Sequence, residues 1–251
     1  MKKRMLFLCL FSPFIALCQL TNEDYKETVV EFINTIKNKK QVLLDSMIRY
    51  PLSRQYPLPD IKEKTEMGQR YNEVFDEPLL QKILNSDPAK DWSDVGWRGI
   101  MLNNGELWID YDGSLLAVNH QSAWETKKRH ELIEADRNRL HPSLQKYVEP
   151  ICILRTKKFL IRIDDLGNYN YRYASWPVNK TMADRPDLVI SKGELIFEGS
   201  GGNHHYQFKK GRYTYECGIV IMGEDDSPPA YLAVTKGKKE ILTQDADIIE
   251  K

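Results

Sequence analysis

Residues 204–215 run His204-His205-Tyr206-Gln207-Phe208-Lys209-Lys210-Gly211-Arg212-Tyr213-Thr214-Tyr215. Tyr206 and Phe208 alternate with polar neighbours, as do Tyr213 and Tyr215, and a Lys210-Gly211 step separates the two runs. A period of two is what a strand with one covered face requires, and glycine between two such runs marks a tight turn. The pair predicts an antiparallel hairpin. The same pattern extends from Ile151 to the end of the chain, with strands expected at 151–154, 158–164, 169–176, 187–191, 194–198, 204–209, 212–222, 230–235 and 239–243. Asp165-Leu166-Gly167-Asn168, Lys192-Gly193, Gly199-Ser200-Gly201-Gly202-Asn203, Asp225 to Pro229 and Gly237 supply the remaining turns. Short, evenly spaced strands predict an all-β antiparallel barrel or sandwich over residues 146–251.

Upstream, the period changes. Val29, Phe32, Ile33 and Ile36 recur at helical spacing behind Glu23 and Asp24, whose charge suits a helix N-terminus. A second short helix is expected over 42–50. Pro51, Pro57 and Pro59 then force an extended connection. Tyr71, Val74, Phe75, Leu79, Leu80, Ile83 and Leu84 give a further apolar helical face. Three strands follow, a long one over Val95 to Leu102, then Glu106 to Tyr111 and Leu115 to Asn119, with Asn103-Asn104-Gly105 as the hairpin signal and Asp112-Gly113 as the second turn. Helices succeeded by a meander make the fold class α+β. Residues 121–145 are polar and charged, and read as a largely exposed linker helix.

The helix ending in Ile48-Arg49-Tyr50-Pro51-Leu52, the Tyr71 to Phe75 helix and the two hairpin strands resemble secreted bacterial NTF2-like domains. That resemblance covers about residues 21–119, within an expected domain 19–120, and implies N-terminal helices packed on a curved sheet, a cone that hosts both enzymes and binding modules. The Asp–His pair of the enzymatic members is not found here, because no histidine precedes His120. The resemblance therefore points to the non-enzymatic branch. It does not extend to the second half.

Residues 1–18 are set apart by composition. Lys2, Lys3 and Arg4 precede a nearly unbroken apolar run from Met5 to Leu17, too short to span a bilayer and fitted to a signal peptide. Ala16 and Cys18 place small side chains where signal peptidase needs them, with cleavage before Gln19; lipid attachment at Cys18, and membrane association through it, is the alternative. The expected location is periplasmic or secreted. The 36 basic residues and 36 acidic ones become 33 against 36 once this segment leaves. A mildly acidic protein without a basic stripe is not a nucleic-acid binder. Cys152 and Cys217 remain, and in an exported protein they are expected to form one disulfide closing a long loop, contributing about 4 kcal/mol.

Catalytic and metal motifs are weak. His130-Glu131-Leu132-Ile133-Glu134 lacks the second histidine of a zinc helix and lies among Lys127, Lys128, Arg129 and Arg137, which oppose a cation. Asp110-Tyr111-Asp112-Gly113-Ser114 and Glu224-Asp225-Asp226 read as turns rather than calcium loops. The glycine-rich 199–203 stretch lacks the lysine of a phosphate loop and precedes a strand. No nucleophile elbow occurs. No metal and no cofactor is expected.

The positive signal is aromatic. Tyr169, Tyr171 and Tyr173 share one strand parity; His204 joins Tyr206, and Tyr213 joins Tyr215. A face rich in tyrosine is a costly core, since each hydroxyl wants a partner, so these residues are candidate ligand contacts. Trp97 and Trp108 flank the first-half hairpin as further candidates. The expected function is an exported, non-enzymatic binding protein for a small molecule, glycan or protein. An inhibitor or immunity protein against a secreted hydrolase or toxin, and a hydrolase with an unrecognised carboxylate site, are the alternatives.

Overall fold

The computed structural model describes residues 24–38, 44 and 46–251. The expected signal segment lies outside them, and so does part of the short helix read over 42–50. Helices α1 (Asp24–Lys37), α2 (Lys64–Val74) and α3 (Glu77–Leu84) cover a four-stranded antiparallel sheet. Its strands are β1 (Trp92–Asp94), β2 (Ile100–Leu102), β3 (Leu107–Ile109) and β4 (Leu115–Val118), in that order. The meander thus has one strand more than expected. The long Val95 strand is instead a 3-10 turn over Gly96–Arg98. Gly99 follows at φ 94°, where an added Cβ would lie 2.5 Å from the Ile109 carbonyl oxygen, so only glycine fits. The helical stripe behaves as read: Val29 and Phe32 are buried with Ile100, Leu102, Leu107 and Ile109, and Phe32 meets Trp92 edge-on at 6.1 Å. Phe75 closes α2, and Asp76 caps α3, accepting the Leu79 N–H at 3.1 Å, with Pro78 in the first turn.

The second half is a closed eight-stranded antiparallel barrel. Its strands are β5 (Glu149–Thr156), β6 (Phe159–Asp165), β7 (Tyr171–Pro177), β8 (Leu188–Phe197), β9 (His204–Lys210), β10 (Tyr213–Ile219), β11 (Ala230–Lys236) and β12 (Lys239–Glu250). Each pairs with the next, and β12 closes the ring on β5 through Ala246–Thr156, Asp247–Arg155 and Ile248–Leu154. Closure removes both sheet edges. Two expected strands, 187–191 and 194–198, are one: Lys192-Gly193 is not a hairpin turn but an irregularity within β8, with Lys192 at φ 63° and a register shift against Tyr171–Tyr173. There the glycine leaves room for the Phe208 ring, whose Cε1 would sit 2.1 Å from an added Cβ.

Both cysteines point into the barrel, and both are free, buried thiols. The expected disulfide is not formed. Cys152 lies on β5 and Cys217 on β10, with β11 and β12 between them. Three strand spacings of about 4.8 Å exceed the Cα separation that a disulfide tolerates. Burial pushes the Cys152 thiol up to about 12 and Cys217 well above the ordinary thiol range.

Helix α4 (Ala123–Arg139) joins the halves, and it is not the exposed rod that its composition suggests. Glu125, Arg129, Ile133 and Asp136 recur at helical spacing and are all buried. Ser122 and Glu125 form a capping box. Glu125 takes a bidentate fork from the buried Arg54 at 2.7 and 2.6 Å, which ties the helix to the first half. Asp136 takes a second fork from Arg162 on the outer wall of β6, at 3.2 and 2.6 Å. Arg162 also reaches Asp164 at 2.7 Å, and Asp164 accepts Arg172 at 2.6 Å. This chain of charges is sealed beside Ile133, Leu144, Tyr147, Ala174 and Trp176.

Candidate functional site

In an up-and-down barrel, successive connections alternate between the two ends. The connections 157–158, 178–187, 211–212 and 237–238 lie at one end; 166–170, 198–203 and 220–229 lie at the other, with the chain entry at Glu149 and exit at Glu250. The first half docks at the second end. Tyr56 donates its hydroxyl to Glu250 at 2.7 Å, and Arg129 forks onto Glu149 at 2.9 and 2.7 Å. The first end faces away from these contacts.

The lumen is filled from the docked end to the middle. Tyr171 meets Tyr206 at 4.9 Å, and His204 lies between Phe197 and Tyr206, tilted to the first at 5.9 Å and edge-on to the second at 5.8 Å. Deeper in, Tyr173 lies against Phe208 and Tyr215 at 5.5 and 5.6 Å. Beyond that pair the lumen opens into a cavity of about 300 Å³. Phe159, Leu188, Leu232, Val234 and Leu242 give it apolar walls, Tyr173, Ser175 and Tyr215 contribute polar atoms, and its one charged lining residue, Asp187, is paired with Lys180 at 2.7 Å. Leu188 and Tyr215 also line an open groove of about 540 Å³ at the rim, together with Lys210, Arg212, Tyr213 and Lys236. Burial holds the Tyr173 hydroxyl far above the usual phenol range, so it stays protonated and can donate. Gln244 is the cross-strand partner of Leu232 and shares its inward face; its Oε1 is buried without a hydrogen-bond partner. An apolar recess with a few convergent polar groups is the usual form of a small-molecule site.

The tyrosine parity read from sequence is therefore the lumen face, and the lumen divides it. Tyr173, Tyr213 and Tyr215 reach the cavity or its rim. Tyr171 and Tyr206 are buried packing at the docked end. His204 belongs to that end too, with Nδ1 2.8 Å from the Gly202 carbonyl oxygen. The glycine-rich loop is held there by Asn203, whose Oδ1 accepts the Ile221 and Met222 N–H groups at 2.8 Å. Tyr169 shares no face with its neighbours: it sits in the β6–β7 turn at φ 57° and is 90% exposed. Trp97 is exposed on the 3-10 turn, and Trp108 donates to the Gly105 carbonyl at 3.1 Å within the first half, so neither joins the tyrosines.

One arrangement escaped the sequence. His120 Nε2 lies 2.8 Å from Asp76 Oδ1, across 44 residues. A histidine–carboxylate pair does exist in the first half, with its histidine following β4 rather than preceding it. Beside it, a cavity of about 380 Å³ is lined by Ser53, Arg54, Gln55, Val118, Asn119, His120 and Gln121. The Asp76 oxygen is shared with the cap of α3, and the His120 carbonyl is held by Arg54 at 3.0 Å. Among the described residues no cluster of His, Cys, Asp and Glu is arranged to hold a metal ion. No family model matches this chain, and neither the curated proteins nor the solved structures compared with it give a match.

Proposed function

We propose that this chain is a binding protein that takes a small, largely apolar molecule into the open end of its barrel. The observation that carries this is the uneven filling of one lumen: aromatic packing seals it from the docked end to Tyr173, and apolar walls with polar atoms line what remains. We further propose that the chain is exported, to the periplasm or beyond, on the strength of the Lys2 to Leu17 segment, and that the first half is an NTF2-like module. Helices α1 to α3 lying over a four-stranded antiparallel sheet support that second assignment. In this reading the first half holds the barrel by one end and α4 lies along its outer wall. The segment after α4 reaches the 178–187 connection, where the His141 N–H donates to the Met182 carbonyl at 2.9 Å, and supplies no residue to the cavity lining.

Titration with N-phenyl-1-naphthylamine, an uncharged dye that brightens in apolar surroundings, tests the cup. Saturable one-to-one binding that Leu188→Trp abolishes is the expected result, because the new ring fills the neck between cavity and groove. Binding that survives Leu188→Trp, or no saturable binding at all, refutes the assignment.

A second reading rests on His120 and Asp76. An imidazole oriented by a carboxylate beside an open recess is competent as a general base, and would make the first half a hydrolase. A rate of p-nitrophenyl acetate cleavage above background that His120→Gln removes would support it. The barrel reading is preferred because its cavity is largely apolar and built on barrel strands, whereas Asp76 already has a structural duty at the α3 cap.

A further inference from the structure

Charge is distributed along the barrel axis as well as apolar surface. The four connections at the open end carry Lys157, Lys158, Lys180, Arg185, Arg212 and Lys238 against two carboxylates, Asp184 and Asp187. The three at the docked end carry Glu198, Glu224, Asp225 and Asp226 and no cation. Strand ends sharpen the contrast, with Lys209, Lys210, Lys236 and Lys239 at the open mouth, where Glu240 is the added acid. Both connection carboxylates are already engaged: Asp187 by Lys180 at 2.7 Å, and Asp184 by the Thr181 N–H and hydroxyl at 2.8 and 2.9 Å. By contrast, Lys210, Arg212 and Lys236 line the groove, and none forms an ion pair among the described residues. The Lys236 ammonium rests 5.3 Å from the Tyr213 ring centroid, which keeps it over the groove.

Resting on the cup assignment above, we infer that its ligand is an amphipathic carboxylate. The apolar chain enters past Leu188 and Tyr215 to the Leu232 and Val234 walls, and the carboxylate stays at the rim among Lys210, Arg212 and Lys236. Three considerations support this class over a neutral or cationic one. The cations without an ion-pair partner border the same groove that opens into the cavity. A neutral ligand would leave their field unused, and a cation would meet it as a barrier. The cavity volume also stands at the small end of the range for ligand pockets, which suits a medium-chain tail rather than a complete lipid.

Displacement of N-phenyl-1-naphthylamine by decanoate, decanol and decyltrimethylammonium separates the possibilities. Decanoate should displace the dye at a concentration about tenfold lower than decanol, and the ammonium compound should be weakest. The triple variant Lys210→Gln, Arg212→Gln, Lys236→Gln should lose that order of preference. All three side chains are exposed, so the barrel keeps its circular dichroism spectrum. Equal displacement by decanoate and decanol overturns the carboxylate inference while leaving the cup intact. Failure of the dye itself to bind overturns the cup, and the inference with it. Sedimentation with phosphatidylglycerol vesicles adds the last arm: vesicle binding without decanoate displacement would assign the cations to a membrane surface and refute the inference.

Discussion

Asp136→Ala removes the carboxylate that joins helix α4 to Arg162 on the barrel wall, leaving the Arg129–Glu149 fork in place. Arg162 has no exposed side-chain surface and would lose both guanidinium bonds to Asp136, keeping only the Nε contact to Asp164. The Tyr147 hydroxyl loses its 2.6 Å acceptor as well. Leaving a buried charge half-compensated costs about 3–5 kcal/mol, and the Tyr147 hydroxyl, left with only the longer 3.3 Å contact to the Ile133 carbonyl, acts in the same direction. A total of about 4 kcal/mol lowers the thermal midpoint of a chain this size by roughly 8–16 °C. Urea titration followed by tryptophan fluorescence reads the change, since Trp176 is buried in the same cluster. Asp136→Leu combined with Arg162→Met should recover most of the loss, because well-packed apolar pairs replace buried ion pairs at little cost. A cost below about 1 kcal/mol for Asp136→Ala would mean that water reaches Arg162, and the sealed ionic seam would be refuted.

The remaining predictions concern the thiols, two glycines and one carboxylate. Iodoacetamide should label Cys152 and Cys217 in peptide maps only after denaturation and without a reductant, because burial keeps both protonated; a disulfide-linked peptide would contradict the barrel geometry. Gly193→Ala drives a methyl group into Phe208 and should destabilise by about 1–3 kcal/mol. Gly68→Ala, in α2 with open space around it, should stabilise by about 0.5–1 kcal/mol; thermal melts of the pair check both signs. Lys82 and Asn103 hold the Glu106 carboxyl below its ordinary value. A depressed folded value contributes stability above the unfolded value and loses it as pH falls. The deficit of Glu106→Gln at neutral pH should therefore begin to close below the ordinary glutamate value of 4.5 and vanish at lower pH, as urea midpoints at about pH 7 and pH 3 would show.

Local periodicity made most of the barrel legible. Alternation at Tyr171–Tyr173, Tyr206–Phe208 and Tyr213–Tyr215 located strands and their shared face, because side chains two apart must lie together. Whether that face was lumen or surface depended on the β12–β5 closure, which pairs segments nearly a hundred residues apart and has no local signature. Lys192-Gly193 looked like a turn because glycine serves turns and strand irregularities alike. The buried side of α4 was invisible for a different reason. Its positions are Glu125, Arg129 and Asp136, and charged residues read as surface unless their partners, Arg54, Glu149 and Arg162, are known to face them. The His120–Asp76 pair and the charge polarity of the barrel required topology in the same way. Each joins residues that only the folded chain brings to one place.

Ring closure by the final strand sets an order for synthesis. The first half and its sheet are complete once Val118 has left the ribosome, and can fold while translation continues. The barrel cannot. Until Lys239–Glu250 emerges, β5 has no partner on one side, and its unpaired edge spends the entire synthesis of residues 157–238 open to other strands. Nascent barrels of this kind therefore need either a holding factor or a delay in folding. Transport of the unfolded chain across a membrane would supply the second, releasing β5 and β12 into the same compartment together.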